Sequence, residues 1–307
     1  LWAMKTDGYG QDEWMNLAAD IVGVTARLTA KFNGEHDPSQ PRYARVPVGP
    51  TCAFCILMAS RGFVYWSEEK AGGRDNRYHK NDDCRIVSSW GEAHVKGYDP
   101  EGMKARYLQC RKTIAGMLNR DEYGKYVARM KDAGKDEDEI DDYNLWTTHR
   151  ITEEMSQRDR RWLYDGTTPE PSVESARAWS ELQKHERKTL DALKDNGFAV
   201  TVRERSDKQG VKTSDAIING KRVDFKAPEG YGKNTIDQLL RSAARQGDAA
   251  VIHLQKERTE LDAEACKDYI RSSLRRRRLD YVLLIDYDGN IVRVERDTET
   301  ASHSQSQ

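Results

Sequence analysis

Ser214-Asp215-Ala216-Ile217-Ile218-Asn219-Gly220-Lys221-Arg222-Val223-Asp224-Phe225-Lys226 decides how the C-terminal half of the chain is read. Asn-Gly between two short β-prone runs predicts a two-residue type I′ turn, whose central residues both need φ > 0. Such a turn fixes the pairing: 218 faces 221, 217 faces 222, 216 faces 223, and so Asp215 faces Asp224. Two carboxylates opposed with Cβ atoms roughly 5 Å apart weaken a sheet unless something lies between them. A divalent cation is the natural candidate, because Mg²⁺ is usually held by one or two carboxylates plus substrate phosphate and water. Lys226, two residues past Asp224, falls on the same face of the strand.

Working outward, Gly166-Thr167-Thr168-Pro169-Glu170-Pro171-Ser172 has the composition of a linker. It divides a mainly helical module, 1–165, from a second domain, 173–297. In that domain a long helix is expected to run to Asn196, with Gly197 as its stop. Phe198, Val200 and Val202 alternate as a strand, the Asn-Gly hairpin follows, and Pro228 ends its second strand. Asn234 to Gln246 reads as a helix, Ala249 to Leu254 as a strand and Asp262 to Arg276 as a helix. A last hairpin, Tyr281 to Ile285 with Ile291 to Glu295, turns at Asp288-Gly289. The order is αβββαβ and then αββ. The polar tail 298–307 is expected to be disordered. In the first of these helices Glu186 sits four residues from both Leu182 and Leu190, on the apolar stripe. A carboxylate there needs a partner, and a metal site at the sheet edge would supply one.

The chain of 307 residues has length for about two domains. With 50 basic against 51 acidic residues it has no global attraction for nucleic acid or membrane. No apolar run approaches the roughly 18 residues of a membrane span, and the N-terminus lacks a basic-then-apolar signal. The start at Leu1 reads as a fragment of something longer. Residues 173–307 carry 25 Lys and Arg against 23 Asp and Glu. Arg271 and Arg275 to Arg278 are nevertheless bunched, either as a patch for nucleic-acid phosphates or as cations favoured at a helix C-terminus.

In the N-terminal half, Asp12 to Phe32 carries Trp14, Leu17, Ala18, Ile21 and Leu28 on one helical stripe, and Gly34 to Pro50 reads as a Pro-punctuated loop. Further helical patterns run from Met103 to Met130, joined near Asn119, and from Tyr143 to about Arg160. Lys135 to Asp142 is an acidic connector. Five cysteines do not form a disulfide framework, and three of them cluster. Cys52-x2-Cys55 and His79-x4-Cys84 make a Cys₃His set with knuckle-like local spacing, suited to a structural Zn²⁺. The 23-residue gap is longer than in a zinc finger, and the alternative is two small buried cysteines and a loop histidine.

On these residues the C-terminal half resembles the PD-(D/E)XK nuclease superfamily, over about 173–296. The resemblance implies catalytic roles for Glu186, Asp215, Asp224 and Lys226, with Mg²⁺ or Mn²⁺ on Asp215, Asp224 and Glu186. Ser214 stands where the name-giving proline would be. The run Gly232 to Gln246 is similar to the helix after the motif in the C-terminal tRNase domains of contact-dependent growth inhibition toxins. That likeness implies Gln246 near the active site; Arg241 and Lys233 are further candidate substrate contacts, the alternative being a solvated helix face. Arg45 to Cys55, Ala59-Ser60-Arg61-Gly62 and Tyr78-His79 to Val87 look like MuF-like minor head proteins of actinobacterial phages, over about 10–165. Those often read His-x-x-Cys-x-Cys here, and Asp82 replaces the first of these cysteines. Together the resemblances imply a phage-associated polymorphic toxin that hydrolyses RNA, above all tRNA, and is virion-associated or delivered into a target bacterial cytoplasm. Its implied partners are phage head proteins and a cognate immunity protein. A metal-dependent DNA endonuclease, or a non-catalytic virion protein that binds nucleic acid, are the rival readings.

Overall fold

A computed structural model describes residues 10–72, 84–91, 94–208, 213–230 and 232–296. The tail, 298–307, lies outside the described residues. Two compact units are present: 1–51 with 58–101, and 52–57 with 102–307. The unit that holds the sheet therefore takes in 52–57 and runs continuously from Gly102, ahead of the 166–172 segment that composition reads as a linker.

In the first unit, helix α1 spans Gln11–His36. Strand β1, Arg42–Val46, lies inside the stretch expected to be loop and pairs antiparallel with β2, Arg85–Ser89. The Arg45 side chain is buried and its Nη1 donates to the Ala71 carbonyl at 2.9 Å. Tyr98 Oη donates to the Ala59 carbonyl at 2.6 Å. The short helix α2, Ala53–Ala59, has its first five residues in the 52–57 segment assigned to the second unit.

In the second unit the helices α3 (Pro100–Thr113), α4 (Arg120–Asp132), α5 (Tyr143–Ser156) and α6 (Arg160–Asp165) precede the sheet. Asn119, Asp142 and Asp159 each cap the following helix by accepting backbone N–H groups, which is why one expected helix to Arg160 is two. After them come β3 (Ser172–Val173), α7 (Ala176–Glu181), α8 (Lys184–Asp195), β4 (Val200–Val202), β5 (Ala216–Ile218), β6 (Lys221–Lys226), α9 (Lys233–Ala243), β7 (Ala249–His253), α10 (Ala263–Leu274), β8 (Tyr281–Ile285) and β9 (Ile291–Glu295). From α8 onward the order is that read from the sequence. The expected long first helix is broken at Leu182 and Gln183, into α7 and α8.

The seven strands form one mixed sheet in chain order. The β3/β4, β6/β7 and β7/β8 pairs are parallel and the others antiparallel. Strand period two sends Val251 and Leu283 to a core with Leu190, Leu193 and Phe225. It sends Ala250, Ile252, Val282 and Leu284 to a second core with Ile236, Leu240 and Ile270. Both faces of the central strands are thus covered, as their unbroken apolar sequences require.

The helices ahead of the sheet are tied to it by buried contacts. The Glu154 carboxylate on α5 meets Arg158 at 2.8 Å and Arg293 of β9 at 2.9 Å, and Glu154 is 2 % exposed. Gln109 of α3 donates to the Asn196 side-chain oxygen at 2.6 Å. Asn219 in the hairpin turn donates to the Gln157 carbonyl at 3.0 Å. Gly197 ends α8 at φ +79° with its Cα against the Trp162 indole, so that a Cβ would lie 2.3 Å from the ring. Gly197→Ala is expected to cost about 2–4 kcal/mol of stability in chemical denaturation. In a Trp162→Ala background the added cost falls toward the roughly 1 kcal/mol of the positive φ alone. Equal costs in both backgrounds would show that the indole does not set the tolerance at 197.

Candidate active site

The hairpin has the register its turn dictates: Ala216 faces Val223, Ile217 faces Arg222 and Ile218 faces Lys221. Asn219 and Gly220 take φ of +51° and +77°, as a type I′ turn needs. Asp215 therefore lies beside Asp224, and both are buried, at 9 % and 1 % exposure. On β6, Val223 and Phe225 enter the core under α8, so alternation puts Asp224 and Lys226 on the opposite, α9 face.

Each carboxylate has fixed partners. Asp215 Oδ2 accepts the Phe225 N–H at 2.7 Å. Lys226 Nζ lies 2.5 Å from Asp224 Oδ2. Gln246 Nε2 donates to the same Asp224 oxygen at 3.3 Å, and also contacts Ser242 Oγ at 3.2 Å and the Ser242 carbonyl at 3.4 Å. Gln246 is not helical: α9 ends at Ala243 and the residue sits in the turn that leads to β7. Arg241 and Lys233 are both exposed on α9, and neither is joined to the acidic pair by a contact.

The buried Glu186 finds its partner in Arg205. Arg205 Nη2 donates to both Glu186 oxygens, at 2.9 and 3.1 Å, and lies 3.8 Å from Asp215 Oδ1. Glu186 Oε2 also accepts the Gln183 N–H at 2.8 Å, because the break at Leu182 and Gln183 places the carboxylate in the first turn of α8 rather than mid-helix. The Gln-x-x-Glu spacing is a legible capping signal. Arg205, in the loop after β4, has no periodic pattern to mark it. His185, next to Glu186, is a second neighbour the motifs do not mark; burial first, and then the Arg258 charge, push its pKa down.

The site is electrostatically unsettled. Burial, and next the Asp224 carboxylate, push Asp215 up to about 6, against the pull of the Phe225 N–H and Lys226. Two buried hard-oxygen donors of this kind fit a small divalent cation completed by phosphate and water. Glu186 is already engaged, and among the described residues no group of three His, Cys, Asp or Glu is arranged to hold a metal. The fit is thus to a two-carboxylate site.

For the Cys₃His set, His79 lies outside the described residues, with the rest of 73–83. Cys55 is buried, its N–H points at Cys52 Sγ at 3.4 Å, and burial pushes the Cys52 thiol up. Of the basic patch, Arg276 and Arg277 pair with Asp237 at 3.0 and 2.6 Å, and Arg271 with Asp268 at 2.9 Å. Much of it therefore ties α10 to α9. No described helix is long and apolar enough to cross a membrane.

Residues 212–291 match the family model of the contact-dependent growth inhibition CdiA C-terminal domain. Residues 2–110 match the model of the VG15 protein. Among solved structures, the CdiA-CT/CdiI toxin and immunity complex from Burkholderia pseudomallei is 26% identical, covering 35% of this chain and 80% of that one with a TM-score of 0.28. No curated protein matches.

The raised Asp215 has a consequence for stability. A carboxyl whose pKa is higher folded than unfolded favours the folded state when protonated. That contribution is full below about pH 4 and is lost as pH rises through about 6. In EDTA, Asp215→Asn should remove this loss, keep the bond from Phe225, and be roughly 1–3 kcal/mol more stable than wild type at pH 7 but not at pH 4. A stability difference independent of pH would refute the assignment.

Proposed function

We propose that the chain is a phage-associated toxin whose C-terminal unit is a divalent-metal-dependent endonuclease of PD-(D/E)XK type, cleaving phosphodiesters in RNA and above all in tRNA. The observation that carries this reading is the Asp215 and Asp224 pair, buried side by side on a hairpin with Lys226 on the face of Asp224. The match of 212–291 to a toxin C-terminal domain supports the toxic role. The match of 2–110 supports the phage association, with a MuF-like head-protein module as the proposed carrier.

Asp215 and Asp224 would hold Mg²⁺ or Mn²⁺, with Glu186 behind them through Arg205. A cation so bound supplies Lewis-acid stabilisation of the phosphoryl oxygens and lowers the pKa of water. Lys226 is placed to stabilise charge building on the phosphate, an effect strengthened by its low exposure. Gln246 fixes the Asp224 oxygen that Lys226 also contacts, and so limits the rotation of that carboxylate. The hairpin and the turn after α9 thus converge on one carboxylate. A cognate immunity protein is the expected partner of such a toxin, phage head proteins those of its carrier, and the site of action is the cytoplasm of a target bacterium.

Total tRNA and plasmid DNA, incubated with the full chain in Mg²⁺, Mn²⁺ or EDTA, test the proposal. Discrete tRNA fragments are expected with metal, reduced more than about 100-fold by Asp215→Ala and Lys226→Ala. Nicked plasmid with intact tRNA would reassign the substrate to DNA, and no metal-dependent cleavage of either would overturn the enzyme. The Cys52, Cys55, His79 and Cys84 set is proposed to hold about one structural Zn²⁺ per chain. Metal analysis of fresh protein should find that zinc and show its loss on Cys52→Ser; a metal-free wild type would remove it.

A further inference from the structure

We infer that Arg205 is a phosphate-binding and positioning residue of this site: one guanidinium nitrogen holds Glu186 and Asp215 in place, and the remaining N–H groups receive a phosphodiester of the nucleic-acid strand. The inference rests on the nuclease reading above.

Nη2 alone makes all three acidic contacts, at 2.9 and 3.1 Å to Glu186 and 3.8 Å to Asp215. Among the described residues, Nε and Nη1 have no partner, and the side chain is 42% exposed while the two carboxylates it touches are buried. A guanidinium is a planar fork of five donors that matches phosphate geometry, and it stays charged at any working pH. Arg205 thus presents an unused donor edge to solvent beside the carboxylates proposed to flank the scissile bond. Lys226 is committed to Asp224 at 2.5 Å, so its charge is already shared.

The loop that carries Arg205 is held on both sides. Arg203 N donates to the Asp215 carbonyl at 2.9 Å, extending the β4/β5 ladder by one residue. Glu204 N donates to Glu174 Oε2 at 2.9 Å, and Asp207 is gripped by Arg177. Ordering cost at binding is low for a donor presented from such a backbone. A polyanionic strand approaching two buried aspartates meets like charge, and a cation at the rim offsets that repulsion where it is felt.

The test is steady-state cleavage, by the full chain with Mg²⁺, of whichever nucleic acid the wild type cuts, with thermal unfolding in parallel. Arg205→Ala should raise KM by about 10-fold or more, the loss of one charge-assisted contact. It also leaves Glu186 buried without its cation, and so lowers Tm. Arg205→Ala combined with Glu186→Gln removes that orphaned charge: Tm should recover while KM stays raised, and Arg205→Lys, which keeps the charge without the fork, should fall between. A double variant whose KM returns to that of Glu186→Gln alone would reduce Arg205 to a structural tie and overturn the inference while the nuclease reading stood. A wild type that cuts neither RNA nor DNA would overturn both.

Discussion

Two aspartates forced side by side in a dry sheet are the constraint around which the C-terminal unit is built. The two-residue turn at Asn219 and Gly220 allows only one register. In it, neither carboxylate can leave without moving the other strand. The surroundings meet this conflict piecemeal: a backbone N–H for Asp215, an ammonium and an amide for Asp224, a guanidinium at the rim. None of these removes the conflict: burial first, and then the Asp224 charge, push Asp215 up. The conflict costs stability, since buried charge without full compensation is expensive.

The sheet makes the conflict hard to relax. Its central strands are buried on both faces, and Asp224 lies between core positions on β6 with Ala250 opposite it on β7. Rotating the strand to expose the acid would carry Val223 and Phe225 out of the core. Rigidity of this kind holds the two carboxylates at a fixed separation.

Much of this was legible in the chain because it is local. Asn-Gly sets a turn by backbone sterics alone, and strand alternation then places Asp215, Asp224 and Lys226 without reference to distant residues. The C-terminal hairpin was legible to the residue for the same reason. What the sequence hid is non-local. Strand β1 looks like a proline-rich loop because its partner, β2, lies about forty residues on, and Ser172 and Val173 look like linker because the strand they pair with is β4, beyond two helices. The end of α9 three residues before Gln246 follows from close packing at Gly247, where a Cβ would meet the Arg222 carbonyl at 2.6 Å. Arg205 is recognisable only once Glu186 and Asp215 have been brought together, since nothing in its own loop distinguishes it from Arg203.

The buried Glu154 also bears on how such proteins exchange parts. Its carboxylate answers to an arginine on its own helix and to one on the last strand of the sheet. A crossover at the proline-containing segment 166–172 would give Arg293 a new neighbour in place of Glu154 and strand a charge in a dry interface. A crossover near 102 keeps both ends of the ion cluster, the Trp162 and Gly197 fit, and the Asn219 tether in one inherited piece. The piece that must be inherited together is thus longer than the sheet and the helices that cover it. The helices in front of the sheet belong to the same compact unit as the strands that follow them.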